Sequence, residues 1–227
     1  MWQAPRPDQY WHKTAYNAAL STAATITPQG GAYPWPAAEG QPVLASSSVN
    51  DTAAGTGART VLVTYLDDAF VEHTETMTLN GTTNVTMAAD DVFRVNDIRV
   101  VTAGSGGVSA GNITLKISTH TIAYIATGNN CNRQGVYTVP VGKRLFVLGF
   151  KVGVTHTEAN KRSIIGLRKK VGAIFNTAWE TALTDTVASQ DLRFPLVFAE
   201  GTDLLFSGLS DGTATVHIFA EGWLGDK

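Results

Sequence analysis

The sequence predicts an all-β protein built as two β-sandwich or jelly-roll-like units, residues 46–130 and 131–227, preceded by an extended N-terminal arm over residues 1–45. Three observations predict it. Short runs rich in valine, isoleucine, threonine and aromatic residues recur at a spacing of roughly 8 to 12 residues, the mark of a sandwich. Clusters of glycine, asparagine and serine separate them, and these are turn residues. The longest apolar run, Lys143 to Thr155, alternates between two faces rather than following a helical period.

At 227 residues the chain can bury a real core as one large β domain or two small ones. Its hydrophobic fraction of 44% is ordinary, but its charged fraction of 16% lies below the ~25% typical of soluble domains. A surface this poor in charge implies that part of it is covered, by self-association or by docking onto a partner lattice.

The arm gathers Trp2, Tyr10, Trp11, Tyr16, Tyr33 and Trp35 together with most of the prolines, and it shows little alternation. Aromatic rings supply large apolar area with few rotors, and proline keeps a segment extended. These aromatics are therefore the candidate contacts to a neighbouring surface. The competing expectation is an arm that folds back over its own domain, with a helical turn or two between Tyr16 and Ala24.

The β pattern begins at Gln41. Arg59–Leu66 reads as a strand covered on both sides, with Val61, Val63 and Tyr65 on one face. Asp67-Asp68 supplies a polar turn, and Phe70–Leu79 carries a threonine-rich face suited to exposure. Asn80-Gly81 is a strong hairpin signal and predicts a return strand over Thr83–Met87. Val92–Thr102 and Ile113–Ile117 follow as strands joined by the glycine loop Gly104–Gly111. The polar link Gly128–Gly135 separates the halves. In the second half Gly135–Gly142 ends on a proline turn, and Lys143–Thr155 is the central strand. Ile164–Val171, Ala173–Trp179, Phe194–Phe198 and a closing strand with Val216, Ile218, Ala220 and Gly222 on one face complete it.

Three stretches, Asn50–Val61 (NDTAAGTGARTV), Leu79–Thr83 (LNGTT) and Val100–Gly107 (VVTAGSGG), resemble a segment that recurs in structural proteins of tailed bacteriophages and some large algal viruses. The order of turns and strands in the second half is similar to a jelly-roll domain found among phage virion proteins. The resemblance implies a virion component: a capsid decoration, cement or head-fibre subunit. It would assemble as a homotrimer or another symmetric oligomer, and its partner would be the major capsid protein or another virion protein. A tail adaptor or fibre module that binds a host-surface glycan is the alternative, with Tyr137, Phe175 and Trp179 as candidate platforms. A β-sandwich polysaccharide depolymerase is a third reading.

Composition and motif spacing argue against chemistry. The net charge is −2, and the one basic cluster, Arg168-Lys169-Lys170, reads as the solvated end of a strand. That gives no footprint for nucleic-acid binding. The single cysteine, Cys131, excludes an intrachain disulfide and a cysteine-based zinc site. No stretch approaches the ~20 apolar residues that span a bilayer, and the first residues lack a signal-peptide pattern. The expected location is a cytoplasm or a particle assembled there. A phosphate loop needs a helix after its glycines, whereas a strand follows Gly104–Gly111. The five histidines, His12, His73, His120, His156 and His217, show no ligand spacing. Only His156, in a loop with Glu158, invites examination for a metal or acid–base role. The pairs Asp67-Asp68, Glu72/Glu75 and Asp90-Asp91 read as turn chemistry or opposite strand faces. Ser46-Ser47-Ser48 lacks a nucleophile elbow. No catalytic residue, cofactor or metal is expected.

Overall fold

The structure is a computed structural model that describes residues 10–227, and every regular element in it is a β-strand. The first two strands are β1 (Tyr10–Leu20) and β2 (Ala24–Thr25). Next come β3 (Val43–Ser46), β4 (Ala58–Leu66), β5 (Glu72–Thr78), β6 (Val85–Thr86), β7 (Arg94–Ala103), β8 (Ile113–Ile117) and β9 (His120–Ile125). The last group is β10 (Val136–Thr138), β11 (Lys143–His156), β12 (Ser163–Val171), β13 (Ile174–Leu183), β14 (Thr186–Phe198), β15 (Asp203–Ser210) and β16 (Ala214–Asp226).

The chain forms two compact units, with boundaries different from those read off the sequence. The first unit combines the segment ending at Ala32 with Gln134–Lys227, and the second is Tyr33–Arg133. The second unit is thus inserted into the first, and the described residues 10–45 are divided between the two units.

In the first unit, β1 pairs with β16, β10 with β15, β11 with β14 and β12 with β13, all antiparallel. The pairs lie in two sheets, β1-β16-β11-β14 and β10-β15-β12-β13. Nested pairing of first with last, second with seventh, third with sixth and fourth with fifth is a long hairpin rolled into a sandwich, which is a jelly roll. The jelly roll expected over 131–227 is present, but its first strand comes from residues 10–20. Both Trp11 and Ala15 enter its core beside Val216, Ile218 and Ala220. The alternation of β1 is hidden in the sequence because Lys13 and Asn17 also occupy buried positions. For the same reason Tyr16–Leu20 continues as strand where a helical turn was expected.

The central strand β11 carries the second correction. Strict alternation would set Leu145 and Val147 opposite Phe150, Val152 and Val154, yet all five are buried in one core. Against β16, Val147 pairs with Gly222 and Gly149 with Glu221, so Leu148 is an extra residue in β11, and the register with β14 breaks at the same point. One added residue flips every later side chain to the other face. The β-bulge therefore brings apolar residues from both halves of β11 into one core.

The second unit is a smaller sandwich of a four-stranded sheet, β6-β3-β8-β9, and a three-stranded sheet, β5-β4-β7. Val61, Val63 and Tyr65 of β4 point into its core, as the alternation requires. The Asn80-Gly81 turn forms, with the Thr83 amide donating to the Asn80 carbonyl at 3.1 Å, but the strands either side of it do not pair with each other as the hairpin required. Gly81 takes φ +60°, but β6 crosses to the other sheet and pairs with β3. The backbone of Gly81 is engaged elsewhere: its amide donates to the Asp51 carbonyl (2.7 Å) and its carbonyl accepts from the Ser46 amide (2.9 Å).

Candidate functional site

The segment that carries the viral resemblance is built around one carboxylate. Asp51 is fully buried, and its two oxygens accept four hydrogen bonds. Ser46 Oγ donates at 2.5 Å and the amides of Ala58, Ala110 and Gly111 at 2.7, 2.8 and 2.9 Å. A carboxylate taken out of water is tolerable only when its lone pairs are satisfied in this way. The arrangement ties the loop before β4 to the loop before β8. It also demands close approach, since a Cβ on Gly57 would stand 2.1 Å from Asp51 Oδ1. The motif NDTAAGTGA is thus a structural knot with all its acceptor capacity turned inward.

His156 lies at the heart of a second polar cluster. Its Nδ1 is 2.8 Å from Asp185 Oδ1 and its Nε2 is 3.0 Å from Ser163 Oγ. Acid, imidazole and hydroxyl in a row have the connectivity of a nucleophilic triad. Access argues otherwise: the His156 side chain is completely enclosed and Ser163 is fully buried. Ser163 Oγ moreover donates to Ser210 Oγ at 2.9 Å. The cluster pins the end of β11 to β12 and β15. The His156 amide (2.5 Å) and the imidazole hold the Asp185 carboxyl below the usual carboxylate range. The spacing of Ser163, Asp185 and His156 in the sequence gave no sign of this meeting, and Glu158 pairs with Lys161 instead.

The acidic pairs form no site. Asp67 caps its own turn by accepting from the Val71 amide (2.8 Å) and lies 3.0 Å from His73 Nε2. Burial pushes this carboxyl up, but the His73 and amide hydrogen bonds outweigh it and hold it low. Glu75 accepts from the amides of Ala88 and Ala89. Among the described residues no group of three or more His, Cys, Asp or Glu side chains could hold a metal ion.

The six candidate arm contacts scatter. Trp2 lies outside the described residues. Tyr10 stands exposed on β1, Trp11 is buried edge-on to Tyr137 (5.3 Å), and Tyr16 packs on His217 (4.7 Å). Tyr33 is buried in the second unit, where its hydroxyl donates to the Ile122 carbonyl (3.1 Å). Trp35 covers Tyr33 in a T-shaped contact at 4.9 Å, and the Arg94 guanidinium sits over its ring. The described part of the expected arm over 1–45 is therefore not one extended segment: Trp11, Tyr16, Tyr33 and Trp35 pack within the chain's own units, and Tyr10 stands exposed.

The proposed glycan platforms are likewise occupied. Tyr137 is buried, and Trp179 stacks on Phe150 at 4.2 Å while its indole donates to Gln190 Oε1 (2.8 Å). Phe175 is half-buried on β13.

Two surfaces of the first unit stand out instead. The strands β13 and β14 each lie at one edge of a sheet, and they expose Ile174 (68%), Val187 (77%), Phe194 (75%) and Val197 (53%). The outer face of the β1-β16-β11 sheet carries a field of rings. Tyr10, Trp223 and Phe146 are register partners across three neighbouring strands, and Phe146 stacks on Trp223 at 5.0 Å. Four residues along β16, Phe219 lies opposite Thr14 and Lys151, whose ammonium approaches its ring to 5.7 Å. Between these rows stands Glu221, accepting from Tyr10 Oη at 3.3 Å. Burial first, and then the Glu221 charge, push the Tyr10 phenol up.

No protein-family model and no curated protein matches the chain. Among solved structures, it aligns over 93% of its length with 71% of a chain from the structure of infectious bursal disease virus Gx strain, at 10% identity and a TM-score of 0.24. It also aligns over 98% of its length with 79% of a chain from the structure of the Gt strain of that virus, at 11% identity and a TM-score of 0.20. Likenesses this low carry no argument about what the chain does. What the coordinates themselves establish is an all-β chain in which a jelly roll contains an inserted sandwich.

Proposed function

We propose that the protein is a non-catalytic structural component of a phage virion: a capsid decoration, cement or head-fibre subunit that works by covering surface between neighbours. The observation that carries the proposal is the β13/β14 edge. Long, apolar, unpaired strand edges are aggregation sites in a free monomer, and proteins normally blunt them with charge, proline or a covering element. Here two edge strands of 10 and 13 residues expose Ile174, Val187, Phe194 and Val197, and the charge and proline that β14 carries, Asp191, Arg193 and Pro195, leave these apolar side chains in the open. Apolar side chains exposed along edge strands favour an interface with a neighbour.

The low charged fraction fits the same account, as does a resemblance segment devoted to a buried structural carboxylate. The subunit would present the edge to further copies of itself, as a homotrimer or another symmetric oligomer, or to the major capsid protein. Each contact needs only an interface of ordinary size, ~1,600 Å², because many copies act together. No residue reacts.

The test is a cryo-electron map of purified particles from the source, with the density of this chain located and its copies counted. Hundreds of copies over the shell, with β13 and β14 covered by neighbours, are expected. A handful at a tail vertex would sink the decoration role, and particles lacking the chain altogether would sink the virion role.

A further inference from the structure

We propose that the outer face of the β1-β16-β11 sheet is a carbohydrate-binding surface for a neutral or N-acetylated oligosaccharide, independent of the assembly edge. Sugars present two chemistries at once, a weakly polar C–H face and a rim of hydroxyls. A surface that takes them needs ring faces and edges beside acceptors and donors. This face supplies both. Tyr10, Trp223 and Phe146 form one apolar row across three strands, and strands ~4.8 Å apart make that row continuous. Phe219 and Lys151 form a second row four residues further along β16, ~13 Å away at strand rise.

Glu221 stands between the rows, and Tyr10 Oη binds one of its oxygens. A carboxylate has acceptor capacity beyond that one bond, which a sugar hydroxyl would use. The ring pairs are already stacked in place, so binding a ligand costs little further side-chain entropy.

Two other occupants fit less well. Protein interfaces are depleted in charge at their centre and place it at the rim, whereas here Glu221 and Lys151 sit among the rings. Nucleic acid requires several cations aligned with phosphates, and here a carboxylate holds the middle of the field. Aromatic side chains with a polar tip, such as Tyr10 and Trp223, suit a surface that is half apolar and half wet.

The experiment titrates the full chain with malto-, cello-, xylo-, manno- and chitohexaose, following tryptophan fluorescence and calorimetry. At least one hexaose is expected to bind with a submillimolar Kd. Trp223→Ala should weaken it by ~10-fold or more, about 1.4 kcal/mol, and Glu221→Gln should weaken it while leaving the thermal midpoint unchanged. Trp179→Phe should leave binding intact, which separates ligand contact from general disturbance. Absence of binding by all five hexaoses overturns the proposal. So does binding that Trp223→Ala and Glu221→Gln leave unaltered. A third contrary result is light scattering in which Trp223→Ala converts an oligomer to a monomer, which would make this face a subunit contact. None of these outcomes depends on where the protein sits in a particle.

Discussion

Asp51 is the residue on which the second unit turns. Removing its carboxylate strands one hydroxyl and three amides in a dry interior. Each unsatisfied buried donor costs ~1–3 kcal/mol, so Asp51→Ala is expected to lower stability by at least ~3 kcal/mol in urea unfolding. Asp51→Asn keeps the shape but turns an NH2 toward donors, and it should cost nearly as much. The sequence showed the motif but not its purpose, because the partners at 58, 110 and 111 become neighbours only through the fold. His156, Ser163 and Asp185 were illegible for the same reason. Asp185 and Glu200 are both held below the usual carboxylate range, Asp185 by the His156 amide and imidazole, Glu200 by Lys227 and the Gly142 amide. A depressed folded value means stabilisation that is complete above the unfolded value and lost as pH falls through the folded one. The calorimetric midpoint of the first unit should therefore be flat from about pH 7 to 5 and fall below about pH 4. Asp185→Asn should flatten that acid limb, and an unchanged limb would show that the carboxylate contributes nothing.

Among the elements, β1 is the one whose role was least visible. Its inward face mixes Trp11 and Ala15 with Lys13 and Asn17, so no period-two signal survives, and aromatic and proline content suggested a separate arm. The strands β4 and β16 were legible because their inward positions are uniformly apolar or small. Two expectations for the consequence of truncation differ sharply. An arm could be deleted with both units intact. A first jelly-roll strand cannot: deletion of residues 1–20 removes Trp11, Ala15 and Leu20 from the core and leaves β16 with an open edge. Full burial of such side chains is worth ~1.5–3 kcal/mol each, which is a large part of a domain's stability. The truncated chain should lose the first unit's unfolding transition and keep the second's. Limited proteolysis would locate the loss, and a fragment protected throughout 134–227 would contradict the assignment. The bulge in β11 was equally hidden, since nothing in a run of apolar residues marks which one is surplus.

At the scale of the molecule, the two units have separate cores, so each is expected to survive without the other. Residues 33–133 expressed alone should fold to a β protein. The remainder, with Ala32 joined to Gln134 through about eight glycine and serine residues, should also fold. Circular dichroism and calorimetry check both, and failure of either piece would mean the division by contacts is not a division by stability. The all-β class was legible from turn spacing, and the nested order was not, because pairing Tyr10 with Trp223 is a relation between the two ends of the chain. That pairing sets a schedule. During synthesis β1 emerges long before its partner β16, so the jelly roll can close only after everything between them has been made. The inserted sandwich is complete well before then. By folding early it replaces a long floppy stretch between β1 and β10 with a rigid body, which lowers the loop-closure entropy of the final step. High contact order makes such closure slow, and a nascent chain waiting with β1 unpaired is open to wrong partners. The interval during which β1 waits unpaired is therefore the step at which misfolding competes with closure.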